Sequence, residues 1–212
     1  MEASRKKFGI VLMRMAIGAV AGFAAMKFGL ESGLGPLLRE AGPGSAALAG
    51  SGLIYGLMGL FVGIGVAASG LGSKLLNVTG REDIEDQRGQ MLGGAVSCFA
   101  LGVGMLLLAL AGPGGAVPGV VGVAAFGFAL FLTAAITLLQ WRGYDELWRN
   151  MSMESAAWGG TLIAMTLLVW GALALIGWAI LPDPAGLVAL VMGLNLLGTF
   201  IAVGRRGLLI EA

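Results

Sequence analysis

The chain contains no histidine, a single cysteine and few charged residues, and these shortages limit its chemistry. Without histidine it lacks the commonest metal ligand and the usual general base. The lone Cys98 permits no intramolecular disulfide, and within an apolar stretch it acts as a small apolar side chain. A formal net charge of +1 provides no bulk attraction to nucleic acid. We therefore expect no cofactor, no metal site and no nucleic-acid partner.

Apolar residues, in contrast, are abundant and occur in long blocks. Hydrophobic residues make up 58% of the chain and charged residues 12%, whereas a soluble domain has about 25% charged residues. The six blocks are 8–30, 46–68, 91–111, 117–139, 156–181 and 185–203. About 20 residues cross the hydrocarbon core as a helix, the form that satisfies the backbone in lipid. The sequence predicts an all-α polytopic transmembrane bundle of six helices, one transmembrane domain over residues 1–212.

Lysine and arginine are distributed unevenly between the loops, and this bias predicts the orientation. If the N-terminus is cytoplasmic, only Lys27 and Arg39 fall on the far side. Arg14 lies within the first block and can extend toward the cytoplasm. The cytoplasmic residues are then Arg5, Lys6, Lys7, Lys74, Arg81, Arg88, Arg142, Arg149, Arg205 and Arg206. Both termini are therefore predicted to be cytoplasmic, with the lipid bilayer as the first partner.

Two parts of this topology carry more specific predictions. The fifth block runs directly into "LPDPAG", a turn so short that the fifth and sixth helices must form an antiparallel hairpin. The first block follows basic residues and contains Ala24 and Ala25, which is also typical of a secretory signal peptide. Because Arg14 interrupts the run and the block is long enough to span, we expect an uncleaved helix. Cleavage would leave five helices in the same orientation.

Two charged segments have a similar shape, and we call them the first elbow (82–96, "EDIEDQRGQMLGGAV") and the second elbow (144–160, "YDELWRNMSMESAAWGG"). A shift of 61 residues places Glu85 on Glu146, Arg88 on Arg149 and Ala95 on Ala156. In both elbows a Glu-x-x-Arg precedes an outward-going helix. One interpretation is a parallel repeat, with the second and third helices duplicated as the fourth and fifth. The alternative is chance similarity of two cytoplasmic loops.

Local physics explains most of the second elbow. Asp145 suits a helix N-cap, and Glu146 adds negative charge at the positive end of the helix dipole. Arg149 lies four residues after Asp145 and three after Glu146, spacings that favour ion pairs on a helix. The flanking residues Trp141, Tyr144, Trp148 and Trp158 predict an interfacial aromatic belt. The charges are therefore expected to begin the fifth helix and to keep its start in water.

Glu154 and Asn195 are not explained in this way. Glu154 lies where the apolar run begins, and a carboxylate at that depth usually has a partner. One hypothesis pairs it with an arginine of another helix, Arg88 or Arg206, and the other is a solvated side chain that reaches the surface. Asn195 lies near the centre of the sixth block. It could hydrogen-bond to a neighbouring helix or contact a substrate.

Glycine is also unusually frequent, with 38 residues in the chain. Pairs four residues apart occur in the first two blocks, and in lipid such spacing lets helix backbones approach closely. The pairs are Gly18 with Gly22, Gly52 with Gly56, and Gly59 with Gly63. We therefore expect tight packing of the first helices, either within the chain or between copies.

From residue 144 onward the chain resembles a group of small bacterial inner-membrane proteins. Those proteins carry Asp-Glu-x-x-Arg-x-x-x-x-Glu-Ala before a two-helix hairpin that ends in basic residues. The matching positions are Asp145, Glu146, Arg149 and Glu154. Ser155 replaces the usual alanine, and Asn150 stands where a second arginine is frequent, so no role of that charge carries over. The resemblance implies a bacterial inner-membrane setting and no established activity.

The predicted spans also lack the residues that drive most membrane chemistry. No Asp, Glu or Lys lies in the middle third of a span, whereas ion-coupled pumps usually need one. No nucleophile and base can be assembled for an intramembrane protease. We therefore predict a non-catalytic structural or accessory membrane component, acting as a homo-oligomer or within a larger complex. A passive or weakly coupled transporter of a small uncharged or lipidic solute is the alternative. The candidate structural or interaction residues are Glu85, Arg88, Asp145, Glu146, Arg149, Glu154, Asn195 and Arg206.

Overall fold

The part of the chain that the structure describes consists of helices and short turns. The computed structural model describes residues 42–68, 85–111 and 115–206, and these three stretches contain no strand. The helices are α1 Pro43–Ala67, α2 Arg88–Ala109, α3 Gly119–Gln140, α4 Glu146–Leu175 and α5 Pro184–Arg205. A short 3₁₀ turn, Trp141–Gly143, follows α3.

All five helices are long and apolar enough to cross a membrane. They correspond to the second through sixth apolar blocks, so the prediction of an all-α fold, with helices long and apolar enough to cross a membrane, is confirmed for these residues. The first block, 8–30, lies outside the described residues, and so do its glycine pair and both termini. The count of six helices and the cytoplasmic position of the termini therefore stay predictions.

The start of α4 differs from the apolar block that predicted it. The helix has 30 residues and begins at Glu146 rather than at 156. Asp145 sets this start, because its Oδ1 accepts a hydrogen bond of 2.8 Å from the backbone N–H of Trp148. This is the N-cap that the sequence predicts, and it satisfies one of the free N–H groups of the first turn. The charged second elbow is therefore helical well before the apolar run begins.

The end of α4 also differs from its block, because the helix stops at Leu175 while apolar residues continue to 181. Gly177 has φ of +77°, a left-handed conformation that favours glycine. The backbone N–H of Trp178 donates to the carbonyl of Leu173 at 2.9 Å. This bond across a left-handed residue is a common helix ending, and it reverses the chain although the next side chains are still apolar.

The described residues fall into two compact units. The first unit contains residues 42–68, 85–111, 115–150 and 182–189, and the second contains residues 151–181 and 190–206. The first unit thus holds α1, α2 and α3, while α4 and α5 contribute residues to both.

Glycine brings α1 and α2 into backbone contact in the first unit. A methyl group placed on Gly59 would lie 2.5 Å from the backbone N of Phe99 and 2.6 Å from the carbonyl O of Ala95. One placed on Gly102 would lie 2.7 Å from the carbonyl O of Gly52. No side chain fits in such space, so glycine is required where these helices cross. The close packing expected of Gly52 and Gly59 therefore occurs within the chain.

Helix α2 also packs against α3 through glycine. A methyl group on Gly104 would lie 3.0 Å from the Cα of Phe126, and one on Gly122 would lie 3.0 Å from the carbonyl O of Leu107. The side of α3 away from α2 carries large exposed apolar side chains, and Phe131 is 70% exposed. Exposure of this kind suits a helix whose surroundings are lipid.

In the second unit α4 and α5 run antiparallel, as the short turn between them predicts. A methyl group on Gly198 of α5 would lie 2.6 Å from the Cα of Gly159 on α4. Further along, Arg206 at the end of α5 contacts Glu154 near the start of α4, with 2.8 Å between Nε and Oε2. Residues near the start of α4 thus contact residues near the end of α5, which defines an antiparallel hairpin.

Asp183 connects the starts of α1 and α5 in the first unit. Its Oδ1 accepts a hydrogen bond of 2.7 Å from the backbone N–H of Gly186, which caps α5. The same carboxylate lies against Gly44 in the first turn of α1, where a side chain would collide with it. A carboxylate beside two helix N-termini is favourable because each carries partial positive charge.

The predicted repeat places the second and third helices on the fourth and fifth by a shift of 61 residues. The structure fits this shift for the second helix of each pair and not for the first. Moved by 61 residues, α2 would occupy 149–170, which lies inside α4. Moved equally, α1 would occupy 104–128, which covers the end of α2 and the first half of α3. The connection between α1 and α2 is longer than that between α3 and α4, so no single shift aligns both helices. The likeness is therefore confined to the elbows and the helices that follow them.

Candidate functional site

The first candidate site is a polar cluster in the first unit, built on two glutamines. Gln140, the last residue of α3, donates from Nε2 to the carbonyl of Gly89 at 2.7 Å. Gln90 on α2 donates from Nε2 to the carbonyl of Gly143 at 3.1 Å. Each amide thus satisfies a backbone carbonyl of the other segment, and we call this pair of bonds the glutamine clasp. It joins the start of α2 to the end of α3 at two points.

Two aromatic residues of the second elbow extend the clasp. The indole N–H of Trp148 donates to Oε1 of Gln87 at 3.2 Å, and the hydroxyl of Tyr144 donates to Oε1 of Gln140 at 3.4 Å. The Tyr144 phenol is protonated at neutral pH and can donate, and burial raises its pKa further. Because Gln87 belongs to the first elbow, the two elbows are in direct contact. They meet at the bond between Trp148 and Gln87.

The charges of the second elbow are arranged differently from the expected ion pairs. The guanidinium of Arg149 lies over the ring of Trp141, 5.9 Å from the ring centroid. In the part of the chain that the structure describes, Arg149 forms no ion pair with Asp145 or Glu146. Asp145 directs its carboxylate to the backbone N–H of Trp148 instead, and Glu146 lies in the first turn of α4. Both acids therefore lie at the start of α4, as predicted. Arg149, however, makes a cation–π contact with Trp141 in place of the predicted ion pairs with these acids.

Glu85 and Arg88 lie in the first elbow, and both side chains are exposed. Arg88 is the first residue of α2. They flank Gln87, whose side chain accepts the hydrogen bond from the second elbow. Both residues thus lie close in sequence to the point where the elbows meet.

The second candidate site lies in the second unit, and we call it the arginine cluster: Glu154, Trp158, Arg205 and Arg206. Oε2 of Glu154 accepts a hydrogen bond of 2.8 Å from Nε of Arg206. Nε of Arg205 lies 3.4 Å from Oε1 of the same carboxylate. The guanidinium of Arg205 also lies 5.4 Å from the ring centroid of Trp158. The pairing of Glu154 with Arg206 is therefore confirmed, and Arg205 is a second partner that the sequence did not predict.

These ion pairs are partly exposed, which limits their contribution to stability. The Glu154 side chain is 24% exposed, that of Arg206 31% and that of Arg205 61%. Pairs open to solvent contribute about 0–1 kcal/mol. Arginines at the end of α5 also complement the partial negative charge of that helix end. The cluster therefore sets the register of α4 on α5 more than it adds stability.

Asn195 lies at the contact between α4 and α5. A methyl group on Gly159 would lie 2.9 Å from Oδ1 of Asn195, so the amide packs directly on that glycine. The backbone carbonyl of Asn195 accepts a hydrogen bond of 3.2 Å from the hydroxyl of Thr199. The side chain forms no hydrogen bond to another helix among the described residues, and much of it is exposed. Its geometry is that of a packing contact.

Two open crevices accompany these clusters. One of about 450 Å³ in the second unit is lined by Met165, Thr166, Val169, Trp170, Leu173 and Ala179. The other, of about 190 Å³, lies beside the clasp and is lined by Asp86, Gly89, Gln90, Leu139, Gln140 and Gly143. The indole N–H of Trp170 is occupied by the carbonyl of Ile180 at 2.9 Å. One N–H of Gln90 and one of Gln140 are likewise used by the clasp, and Asn195 lines neither crevice.

The described polar side chains at these sites contact backbone groups, aromatic rings and one another. Across residues 42–68, 85–111 and 115–206, no three side chains of His, Cys, Asp or Glu come together as a metal site would require.

Sequence reasoning missed the three glutamines and Arg205. A signal for the glutamines was present, since an amide at the end of an apolar block, such as Gln140, has few partners other than another helix end.

Comparison of the chain with protein families, with curated proteins and with solved structures gives no match. The class of the protein therefore follows from its architecture. Within the described stretches the chain is all-helical, and five helices could each span a bilayer. This is the architecture of a multi-pass membrane protein.

Proposed function

We propose that this chain is a non-catalytic structural or accessory component of a membrane. The observation that carries the proposal is the use of its polar side chains. The clasp amides bond to backbone carbonyls, Asp145 and Asp183 cap helices, and Glu154 pairs with arginines. A catalytic site would direct such groups into a cavity, where they could meet a substrate. Here the acids cap helices or pair with arginines, and the clasp amides, although they line the crevice of about 190 Å³, each direct an N–H to a backbone carbonyl of the other segment.

The joined elbows are the surface that we propose for a partner. Their backbones are fixed by the clasp and by the bond from Trp148 to Gln87. Around this fixed centre Arg88, Glu146 and Arg149 are exposed. Charges held on a rigid support lose little entropy on binding, which favours specific contact with a protein partner. The partner is a second copy of the chain or another subunit of a membrane complex.

The setting that we propose is a bacterial inner membrane, with six spans and both termini in the cytoplasm. The distribution of lysine and arginine supports this orientation. Reporter fusions test it: a fluorescent protein fluoresces only in the cytoplasm, and alkaline phosphatase is active only in the periplasm. Fluorescent fusions at both ends and inactive phosphatase fusions are expected. An active phosphatase fusion at either terminus would overturn the topology.

The accessory function can be tested by recovering the full-length chain in native lipid. The tagged protein is extracted from its own membrane with a disc-forming polymer, and co-purifying proteins are quantified by mass spectrometry. We expect a stoichiometric partner, or a defined oligomer, that is lost with Arg149→Gln. Asp183→Asn serves as the matched control, because it changes one charge at a helix start away from the elbows. A monomer without partners would contradict the proposal.

The transporter remains the second candidate because of the apolar crevice of about 450 Å³ on α4. A groove of that size falls within the range of about 300–1,000 Å³ for small-molecule sites. Purified chain in proteoliposomes distinguishes the two functions through the flux of neutral solutes and the exchange of labelled lipid between leaflets. Flux above that of empty vesicles, reduced by Val169→Trp in the crevice and not by Arg149→Gln, would favour transport.

A further inference from the structure

We propose that the arginine cluster binds the phosphodiester group of an anionic phospholipid. Two guanidinium groups face one carboxylate, so the cluster has a net charge of +1. Arg205 is its most exposed member, with 61% of the side chain accessible against 24% for Glu154. The positive side of the cluster is therefore the accessible side. This inference requires only that the chain spans a membrane and does not depend on the accessory function.

Most hydrogen-bond donors of the two arginines are unused by the described part of the chain. Each guanidinium carries five N–H groups. Arg206 donates from Nε to Glu154, while Arg205 is held by charge at 3.4 Å and by the ring of Trp158. Among the described residues, neither arginine donates a hydrogen bond from its terminal Nη groups. Both guanidinium groups lie at one carboxylate, and a guanidinium fork matches the oxygens of a phosphate, which accept such paired bonds well.

The depth of the cluster matches that of a lipid phosphate. No charged residue occurs from Ser155 to Leu175, and this part of α4 is about 32 Å long at ~1.5 Å per residue. That length equals the thickness of the hydrocarbon core, about 30 Å. Glu154 therefore lies at the boundary of the hydrocarbon, where phosphates lie. Trp158, one helical turn deeper, occupies the interfacial level that tryptophan prefers.

The second elbow provides a contrast within the same chain. Arg149 also lies over a tryptophan ring, and it is also exposed. However, Asp145 and Glu146 offset Arg142 and Arg149, so residues 142–149 carry no net charge and should attract a phosphate less. A site that needs only an arginine and a tryptophan would bind lipid at both places. A site that needs the net positive charge of the arginine cluster would bind lipid there alone.

The experiment measures lipid preference with the full-length chain in nanodiscs of equal parts phosphatidylcholine and phosphatidylglycerol. Native mass spectrometry gives the ratio of the two lipids that stay bound after release from the disc. We expect about a fivefold preference for phosphatidylglycerol, which corresponds to the ~1 kcal/mol that one basic residue gains at an anionic surface. Arg205→Gln combined with Arg206→Gln should bring the ratio near one. Glu154→Gln should keep or raise the preference, because it removes the competing carboxylate.

Three controls make the result decisive. Arg149→Gln should leave the ratio unchanged, and an equal fall with that variant would overturn the site. Arg205→Lys keeps the charge without the fork, so the preference should fall only in part, which also guards against a variant that fails to fold. Inorganic phosphate is tested against sodium chloride of equal ionic strength in pure phosphatidylcholine discs. If phosphate raises the unfolding temperature there while phosphatidylglycerol gives no preference, the ligand is free phosphate and the lipid assignment is wrong.

Discussion

Replacing Gly59 by alanine should push α1 away from α2. The added methyl group would lie 2.5 Å from the backbone N of Phe99, 2.6 Å from the carbonyl O of Ala95 and 2.9 Å from the Cα of Phe99. All three neighbours are backbone atoms, so no side-chain rotation relieves the contact. Carbon atoms pack best at about 3.5–4.0 Å, and the helices must therefore separate by roughly 0.5–1 Å.

The magnitude follows from two opposing terms. A gap of that width loses about a quarter to a half of the dispersion energy of each facing contact. Overpacking of a tight core costs about 1–3 kcal/mol. Alanine, however, favours the helix over glycine by about 0.5–1 kcal/mol. The two terms together give a loss of about 0–2.5 kcal/mol in the free energy of unfolding, and a loss of about 1–3 kcal/mol relative to a glycine-to-alanine change on the same helix that causes no overpacking.

Reversible unfolding in mixed micelles, induced by sodium dodecyl sulfate and followed by circular dichroism, measures this loss. The matched control on the same helix is Gly63→Ala, whose methyl group would meet the Cβ of Ala95 at an ordinary 3.8 Å. That variant should be neutral or slightly more stable. Gly102→Ala should also destabilise, and combined with Gly59→Ala it should cost less than the sum, because the helices are then already apart. If Gly59→Ala unfolds at the same midpoint as Gly63→Ala, the crossing geometry described here is wrong.

The remaining predictions concern the polar contacts, each measured by the same unfolding assay. Glu154→Gln should destabilise by no more than about 1 kcal/mol, because the pair is partly exposed. Because both carboxylate oxygens face Arg205 and Arg206, the losses in unfolding free energy from Glu154→Gln and Arg206→Gln should be coupled in a double-mutant cycle. The losses from Glu154→Gln and Arg88→Gln should be additive. The reverse pattern would refute the pairing. Gln140→Glu places a carboxylate oxygen against the carbonyl of Gly89 and should lower the free energy of unfolding by about 1–3 kcal/mol. Amide hydrogens at the start of α2 should then exchange faster with solvent. Unchanged exchange would argue against the clasp. Asp183→Ala should lower the free energy of unfolding by about 1 kcal/mol, because it removes the cap of α5. Asp183→Asn should lower it less, because the asparagine side-chain oxygen can still accept the hydrogen bond. Equal unfolding midpoints for the two variants would contradict the capping role.

Several features could be predicted from the sequence because they depend on neighbouring residues alone. A block of apolar residues long enough to cross the hydrocarbon must be helical in lipid, and the five described helices follow this rule. Asp145 caps α4 because its side chain reaches an N–H three residues away. The turn between α4 and α5 is too short for anything except an antiparallel hairpin. In that hairpin Glu154 can meet Arg206, because their distances from the turn along the two helices are similar.

Other features depended on which distant backbones meet, and no local pattern contains that information. Helix α4 begins before its apolar block and ends inside it, because capping atoms and not hydropathy set its limits. Arg149 was expected to pair with an acid, yet the cap uses Asp145 and the ring of Trp141 is close enough to take the guanidinium. The glutamine clasp exists only because α2 and α3 bring two carbonyls within reach of two amides.

The sequence by itself indicated that the surroundings of this chain are lipid. Long uncharged helices are stable in lipid, and the few charges must lie at their ends. The tertiary structure decided which ends meet and how closely. In lipid no hydrophobic force selects a partner for a helix, so the choice falls to atomic fit and to the few polar groups that can reach one another. Glycines on α1 and α2, amides at the elbows and arginines at the end of α5 make that choice here.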